Sequence, residues 1–301
     1  MSTAGLLPEL SWPRSGAAVA TSPTGIEAFF LDTGAVDSLF CLHHGPAQPT
    51  RGLVVYVHPF AEEMNKTRRM AALQSRQLAK LGFAVLQPDL RGCGDSSGDF
   101  GDANWAGWVD DVVAACDWLL ARHAVQGGPA PRLWLWGLRV GCLIASAAAA
   151  RLPVEPGLIF WQPTLRGETA LNQFLRLRLA GNMLDGGSRT TLAQLRAQLA
   201  ETGEVEVAGY RLNAGLADAL GQAALALPAP ACRVLWLETT AQQTPELAPA
   251  AAAAIERWRG AGVTVDAHAV GGPAFWQTVE IEEAPALLTI TTEALLAAAA
   301  R

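Results

Sequence analysis

The sequence has neither the cluster of basic residues that marks nucleic-acid-binding proteins nor the long apolar run that marks membrane-spanning ones. It carries 22 Lys and Arg residues against 28 Asp and Glu, for a net charge of -6, and has no basic cluster. Because phosphate binding needs concentrated positive charge, this composition argues against nucleic acid as a main partner. The alanine-rich runs at 143–150 and 250–254 are far shorter than the roughly 20 apolar residues that span a bilayer, so no membrane span is predicted.

Cysteine is scarce and irregularly placed. The five cysteines are odd in number, widely spaced and contain no C-x-x-C pair, which fits neither a disulfide framework nor a zinc site. His, Asp and Glu form no recognisable ligand set, so no metal and no cofactor are expected. Glu9 and Arg14 have no apolar segment between them, so no secretory signal is predicted. A reduced, cytoplasmic setting is the simplest interpretation.

Strand and helix patterns alternate along most of the chain, after a Pro-, Ser- and Gly-rich lead-in over 1–24. We predict strands at 26–31, 38–43, 53–57, 83–87, 133–136, 158–161, 233–237 and 263–270, and helices at 67–81, 105–122, 142–151, 249–260 and from 285. This alternation indicates an α/β protein with a mostly parallel sheet and helices on both faces.

The periodicity changes between 163 and 228. Amphipathic helical segments lie at 171–179, 190–199 and 214–225, with a short polar stretch at 205–211. No long buried strand is visible there. We therefore predict a mainly helical cap over 163–228, inserted into a core formed by 25–162 and 229–301.

A buried strand runs into the turn Gly137-Leu138-Arg139-Val140-Gly141. A nucleophile elbow turns so sharply from strand to helix that the residues two before and two after its apex must lack a side chain. Gly137 and Gly141 meet that backbone requirement, but Arg139 occupies the apex, where a serine would be. Because its guanidinium stays protonated at any accessible pH, Arg139 cannot act as a nucleophile.

Three further segments resemble the α/β-hydrolase superfamily. His58-Pro59-Phe60 is similar to its His-Gly oxyanion loop, Pro88 to Ser96 is similar to its P-D-x-R-G-x-G-x-S turn, and Asn104-Trp105 opens a helix that carries Asp110 and Asp111. With the elbow after the fifth strand and the cap after the sixth, the resemblance extends over nearly the whole chain. It implies the α/β-hydrolase fold and a catalytic triad in the chain order Ser, acid, His.

The triad positions implied by this resemblance hold other residues. After the seventh strand, where the acid belongs, Glu238 is adjacent but still on the strand, and after the eighth strand Phe275 and Trp276 stand in the place of the histidine. His268 falls inside that strand and is either an ordinary core or surface residue or a displaced base. Because losing one triad member costs several orders of magnitude in rate, ordinary serine-triad catalysis is not expected.

A narrower resemblance rests on HPFAEEMNKTRRM at 58–70, the Gly-Leu-Arg-Val-Gly elbow, Gln162-Pro163, the segment 173–178, and Pro273 to Trp276. In these segments the chain resembles the exosortase A system-associated hydrolase 2 group, soluble bacterial proteins encoded near exopolysaccharide and PEP-CTERM protein-sorting genes. The resemblance implies a nominal hydrolase and a protein partner in the export system.

Arg139 is expected to project between sheet and cap, where an uncompensated charge is costly. Glu62 and Glu63, on the loop after the third strand, are the first choice as its partners. Two interpretations stay open. The pair is a structural plug, or Arg139 together with Arg176 or Arg178 from the cap binds an anionic ligand.

Other pocket candidates come from the same strand ends and loops: His58, Phe60, Val140, Gln162, Phe275 and Trp276. Arg139 suits an anion, and aromatic walls bind sugars as well as acyl chains. The expected small-molecule ligand is therefore an anion, a sugar or an acyl compound. Cys142 is a candidate alternative nucleophile, because it begins a helix whose dipole would lower a thiol pKa. A residue three positions past the apex, however, normally packs against the helix's neighbours. The predicted function is ligand or partner binding. The alternative is hydrolase or acyltransferase chemistry in which Arg139 and Glu62 or Glu63 polarise substrate and water.

Overall fold

A computed structural model describes residues 25–34, 37–46, 50–124, 131–184, 191–230 and 232–300. The lead-in predicted over 1–24 lies outside the described residues. Ten strands are found in this part of the chain: β1 (Ile26–Asp32), β2 (Ser38–His44), β3 (Gly52–Val57), β4 (Phe83–Pro88), β5 (Arg132–Leu138), β6 (Gly157–Trp161), β7 (Glu204–Val207), β8 (Tyr210–Asn213), β9 (Arg233–Thr240) and β10 (Thr264–Gly271).

Eight of these strands form one sheet in the order β1-β2-β4-β3-β5-β6-β9-β10. The pairs β1–β2 and β2–β4 are antiparallel, and the remaining five pairs are parallel. In the parallel part, the carboxyl ends of β3, β5, β6, β9 and β10 meet at one edge, where α/β proteins place their ligands. The prediction of an α/β-hydrolase fold is confirmed.

The described helices are α1 (Glu62–Lys80), α2 (Trp105–Arg122), α3 (Gly141–Ala149), α4 (Gly167–Leu184), α5 (Leu192–Thr202), α6 (Ala214–Gln222), α7 (Pro249–Gly260) and α8 (Pro285–Ala299). Helices α1 and α8 contact each other on one face of the sheet, and α2 contacts α3 on the other. Asn104 starts α2 at the predicted residue because its side chain accepts a hydrogen bond from the Gly107 N–H at 2.8 Å.

The central strands are buried on both faces, which explains their continuous apolar sequences. All six residues of β3 and all five of β6 are buried. Alternate β3 residues serve different cores: Val55 packs with the α2 and α3 side, whereas Val54 packs with the α1 and α8 side. Trp134 and Trp136 belong to the second of these cores and are fully buried.

Helix α1 begins earlier than the sequence predicts. The predicted start at residue 67 is wrong, and Glu62 and Glu63 form the first turn of the helix instead of a loop. The helix has no side-chain cap, and its N-cap residue Ala61 has a positive φ of 49°, so the usual capping signal is missing. Two carboxylates in the first turn suit the partial positive charge at a helix N-terminus.

Between β6 and β9 the chain leaves the sheet and forms α4, α5, the β7–β8 hairpin and α6, which we call the insertion. The polar stretch at 205–211 is this hairpin, whose Ala208-Gly209 turn has positive φ at both residues. Asn213 ties the hairpin to the core, because its side-chain amide donates to the carbonyls of Gly101 and Ala103 at 2.9 and 2.8 Å. The insertion is thereby anchored beside the carboxyl edge of the sheet.

No helix in the described part of the chain is long and apolar enough to cross a membrane. Among the same residues, no three His, Cys, Asp or Glu side chains are grouped so as to hold a metal ion. All five cysteines are buried and free.

Buried histidines make the fold sensitive to acid. Burial lowers the pKa of His43 from 6.5 to about 3, with Arg122, His123 and His44 nearby acting in the same direction. Above pH 6.5 the folded and unfolded states are both neutral at this residue. Below that pH only the unfolded state binds the proton, so stability falls as the pH drops from 6.5 toward 3.

We expect the free energy of unfolding to fall by at most about 1.4 kcal/mol per pH unit for His43 alone. His43→Gln, which cannot titrate, reduces this slope in urea unfolding measured between pH 7 and pH 4. An unchanged slope would contradict the assignment. His268→Gln is the control, because His268 is part-exposed on β10.

Candidate functional site

The elbow keeps its backbone geometry around Arg139. This residue stands between the end of β5 and the start of α3 with φ at 56°, a conformation that non-glycine residues rarely adopt. A Cβ on Gly137 would lie 2.6 Å from the Cα of Cys142, and one on Gly141 would lie 2.7 Å from the His58 carbonyl and still closer to that of Val57. Both glycines are therefore required by the backbone alone.

The Arg139 side chain is engaged on three sides. Its Nε donates to Glu63 Oε1 at 3.3 Å, and its Nη2 donates to Gln173 Oε1 at 2.8 Å. The guanidinium carbon also lies 5.5 Å from the ring centroid of Trp276, within reach of a cation–π interaction. Only 13% of the Arg139 side chain is exposed. The cation at the apex is thus held by protein groups from α1, the insertion and the loop after β10.

The carboxyl groups of Glu63 and Glu62 are both perturbed. Burial raises the pKa of Glu63 from 4.5 to about 7, although Arg139 beside it acts to lower the value. Burial also raises the pKa of Glu62, and Oε2 of Glu62 is buried with no hydrogen-bond partner among the described residues. The ion pair with Arg139 therefore involves a carboxylate that takes up a proton near neutral pH.

A cavity of about 240 Å³ adjoins this pair. It is lined by Phe60, Glu62, Glu63, Lys66, Val140, Ala170, Gln173, Phe174, Leu177 and Gln277. Phe60 follows β3 and Val140 follows the elbow apex, the two positions whose N–H groups form an oxyanion hole in α/β-hydrolases. Among the described residues, the backbone N–H groups of Phe60 and Val140 donate no hydrogen bond in the turns, loops and helix caps. The cavity thus lies at the edge where related folds bind substrate.

His58 and Gln162 border this region but have structural partners. The Nδ1 of His58 lies 2.8 Å from the Pro59 carbonyl, and its Nε2 lies 3.1 Å from the Leu90 N–H, so both ring nitrogens are occupied. Burial lowers the His58 pKa, which keeps the ring neutral. Gln162 accepts from the Thr239 N–H at 3.0 Å and joins β6 to β9. Neither residue lines the cavity.

The candidate triad partners do not reach Arg139. Glu238 lies on β9, where its two carboxylate oxygens accept from the Trp236 indole and the Ala248 N–H, each at 2.9 Å. His268 lies on β10, and its Nε2 is 2.8 Å from an Asp266 oxygen. The Glu238 contacts join β9 to the start of α7, and the His268 contact lies within β10.

The remaining candidates lie around the cavity but outside its lining. Cys142 is fully buried and burial raises its thiol pKa well above the usual value, so the thiol is protonated. Arg178 donates to the Glu206 carbonyl of the hairpin, and Arg176 is exposed on α4. Phe275 is fully buried beneath Trp276. Because Arg176 and Arg178 are two residues apart on a helix, they point in different directions, and neither one lines the cavity.

Three polar residues of the site were missed at the level of sequence: Lys66, Gln173 and Gln277. Lys66 follows Glu62 by one helical turn, a spacing that becomes visible only when α1 is known to begin at Glu62. Gln173 begins the segment 173–178, but its neutral side chain gives no signal of an arginine partner.

A family model described as serine aminopeptidase, S33, matches residues 48–207. Among curated proteins, the human Protein ABHD12B is 28% identical over 109 residues, which are 36% of this chain and 27% of that protein. The chain therefore matches about a quarter of that relative's length.

Solved structures show the same fold at low sequence identity. Est1E from Butyrivibrio proteoclasticus with bound ferulic acid has a TM-score of 0.59 at 15% identity, covering 91% of this chain and 100% of that one. A thermostable carboxyl esterase from Bacillus coagulans with glycerol has a TM-score of 0.55 at 16% identity, covering 84% and 91%. The mouse alpha/beta hydrolase domain-containing protein 10 has a TM-score of 0.54 at 14% identity, covering 89% and 98%.

Proposed function

The chain belongs to the serine aminopeptidase S33 family of α/β-hydrolases, and we propose that it binds a ligand or partner at its elbow without serine-triad catalysis. The observation that carries the proposal is the permanently charged Arg139 at the apex, held by Glu63, Gln173 and Trp276. A guanidinium cannot attack an acyl carbon, and an indole in the place of the histidine cannot take a proton. In this proposal the triad is degenerate and Arg139 is a structural plug.

The cavity beside the plug is the ligand site of this proposal. It combines apolar walls with a small number of polar groups, as small-molecule sites do. An anionic ligand held directly by Arg139 is disfavoured, because Arg139 does not line the cavity and its Nε and Nη2 already donate to Glu63 and Gln173.

The biological setting is proposed from sequence resemblance. The segments at 58–70 and 173–178 resemble the exosortase A system-associated hydrolase 2 group, and both contribute residues to the cavity. We propose on this basis a cytoplasmic role in exopolysaccharide or PEP-CTERM protein export, with a protein partner from that system.

A second candidate function is hydrolase or acyltransferase chemistry through a non-standard site. The pKa of Glu63 at about 7 favours it, because general bases work best with a pKa near the operating pH. In this alternative Glu63 activates water, Arg139 polarises the substrate, and the N–H groups of Phe60 and Val140 bind the oxyanion.

Incubation with a fluorophosphonate probe and a panel of short acyl esters tests the two functions. We expect no labelling and no turnover above background. Arg139→Ser is expected to stay inactive as well, because Trp276 stands where the triad histidine belongs and both ring nitrogens of nearby His58 already have structural partners. An active serine esterase run in parallel is the control for the probe. Ester turnover that disappears in both Arg139→Ala and Glu63→Gln would establish the second function instead.

A further inference from the structure

One edge of the large sheet is an open strand, β1. In the strand order, β1 pairs with β2 on one side, and no strand in the described part of the chain pairs with its other side. Its seven residues pair with β2 in an unbroken antiparallel register. Such a strand offers a row of backbone N–H and C=O groups to a further strand.

The two ends of the β1–β2 pair show which residues present these groups. The Thr33 N–H donates to the Asp37 carbonyl, and the Gly45 N–H donates to the Gly25 carbonyl, so residues 25 and 33 bond toward β2. Bonded and non-bonded pairs alternate along antiparallel strands, so the odd-numbered residues of β1 bond to β2 and the even-numbered ones point their N–H and C=O groups outward. The outward residues are Ile26, Ala28, Phe30 and Asp32.

Strand β1 lacks the features that usually keep an open edge from pairing. It has no proline, lysine or arginine, and its register with β2 contains no bulge. Its carboxylates are Glu27, which pairs with Arg122 at 2.6 Å, and Asp32 at its end. At the opposite edge of the sheet, β10 carries the polar residues Asp266 and His268 in its middle. Of the two edges, β1 is therefore the one suited to accept another strand.

Two of the outward residues are large and apolar. Ile26 is 53% exposed and Phe30 is 60% exposed, although the Phe30 ring packs on Phe40 of β2 with centroids 5.6 Å apart. Both lie on the same face of β1, with Ala28 midway between them. A second copy of β1 that runs antiparallel and is centred on Ala28 therefore places Ile26 of each copy beside Phe30 of the other.

Charge disfavours the neighbouring registers. A pair centred on residue 27 sets the two Glu27 carboxylates opposite each other. A pair centred on residue 29 sets Asp32 opposite Ile26, and one centred on residue 30 sets it opposite Ala28. The register centred on Ala28 keeps Asp32 away from these apolar residues, and Glu27 retains Arg122 of its own chain as counterion.

We propose that two copies of this chain associate through β1, which joins their sheets across a twofold axis at Ala28. The inference goes beyond the proposed ligand site. In the strand order, β1 is four positions from β5, about 19 Å at about 4.8 Å per strand, so the interface lies away from the elbow. The cavity beside Arg139 therefore stays accessible in the dimer.

Analytical ultracentrifugation of the full chain between about 1 and 200 µM tests the association, because one strand pair makes a small interface. We expect a concentration-dependent equilibrium between monomer and dimer. Phe30→Lys replaces an apolar contact with a charge and is expected to weaken the dimer at least about tenfold. Val279→Lys is the matched control and should leave the dimer unchanged, because Val279 is 96% exposed in the loop after β10.

Ala28→Cys tests the register. All five native cysteines are buried, so a disulfide formed under mild oxidation reports the new thiol. Residue 28 faces itself across the axis at a Cα separation of about 5.5 Å, which a disulfide accepts, and we expect a covalent dimer. Asp32→Cys is the control, because this position is exposed on the same face but lies about 27 Å from its own copy in this register.

Thermal unfolding of each variant checks that it is folded. A monomer at every concentration, a dimer that Phe30→Lys leaves intact, or cross-linking of Asp32→Cys as fast as that of Ala28→Cys would overturn the inference. Because these three positions lie on β1, their results do not bear on catalysis, which the ester assay measures separately.

Discussion

Gly141→Ala is expected to prevent the chain from reaching its folded state, or to lower the free energy of unfolding by at least about 3 kcal/mol. The new Cβ would lie 2.7 Å from the His58 carbonyl oxygen and closer still to the Val57 carbonyl. Both atoms belong to backbone at the end of β3, which cannot move without disturbing the centre of the sheet. Soluble yield and urea unfolding measure the effect.

Gly260→Ala is the matched control. Gly260 ends α7, and a Cβ added there would meet no heavy atom within 4 Å. We expect its free energy of unfolding to stay within about 1 kcal/mol of the unmodified protein. Equal stability of the two variants would show that the elbow is not packed as described.

Arg139→Ala is expected to lower the free energy of unfolding by about 3 kcal/mol at pH 8, because it leaves the buried Glu63 carboxylate without its cation. The loss should be smaller at pH 5. The folded-state pKa of Glu63, about 7, is above the unfolded value of 4.5, so its contribution is fully present below pH 4.5 and is lost as the pH rises through 7. Removing Arg139 raises that pKa further and enlarges the loss at high pH.

Glu63→Gln supplies the second side of a double-mutant cycle. With a neutral amide at 63, Arg139→Ala should cost less, and the difference measures the coupling of the pair. Arg139→Gly separates charge from backbone strain, since glycine accepts the φ of 56° and should be more stable than alanine there by up to about 1 kcal/mol. A loss that does not depend on pH or on residue 63 would count against the plug.

These experiments bear on function because a plug and a catalytic group leave different signatures. If Arg139 and Glu63 form a plug, their substitution changes stability and the protein hydrolyses no ester before or after it. If they form a non-standard catalytic site, the same substitutions abolish ester turnover. The hydrogen bonds that Arg139 donates to protein acceptors favour the structural plug. The raised pKa of Glu63 favours hydrolase or acyltransferase chemistry through a non-standard site. The ester assay decides between them.

The larger elements were predictable because their sequence patterns are strong. Continuous apolar strands such as β3 and β6 are typical of a sheet covered on both faces, and their order with α2 and α7 predicted the fold. The start of α1 was not predictable. Its N-cap is Ala61 at positive φ, and the sequence carries no capping residue there to mark the boundary.

By itself, the sequence determined the parallel sheet, the elbow glycines and the cation at the apex, because each depends on local periodicity or on one residue type. Only the tertiary structure decided what the cation contacts. Gln173 from α4 and Trp276 from the loop after β10 meet Arg139 through chain closure over 34 and more than 100 residues, and Glu62 is left unpartnered by the same packing. Local sequence carries no record of such distant contacts, since they depend on how helices and loops settle around the end of the sheet.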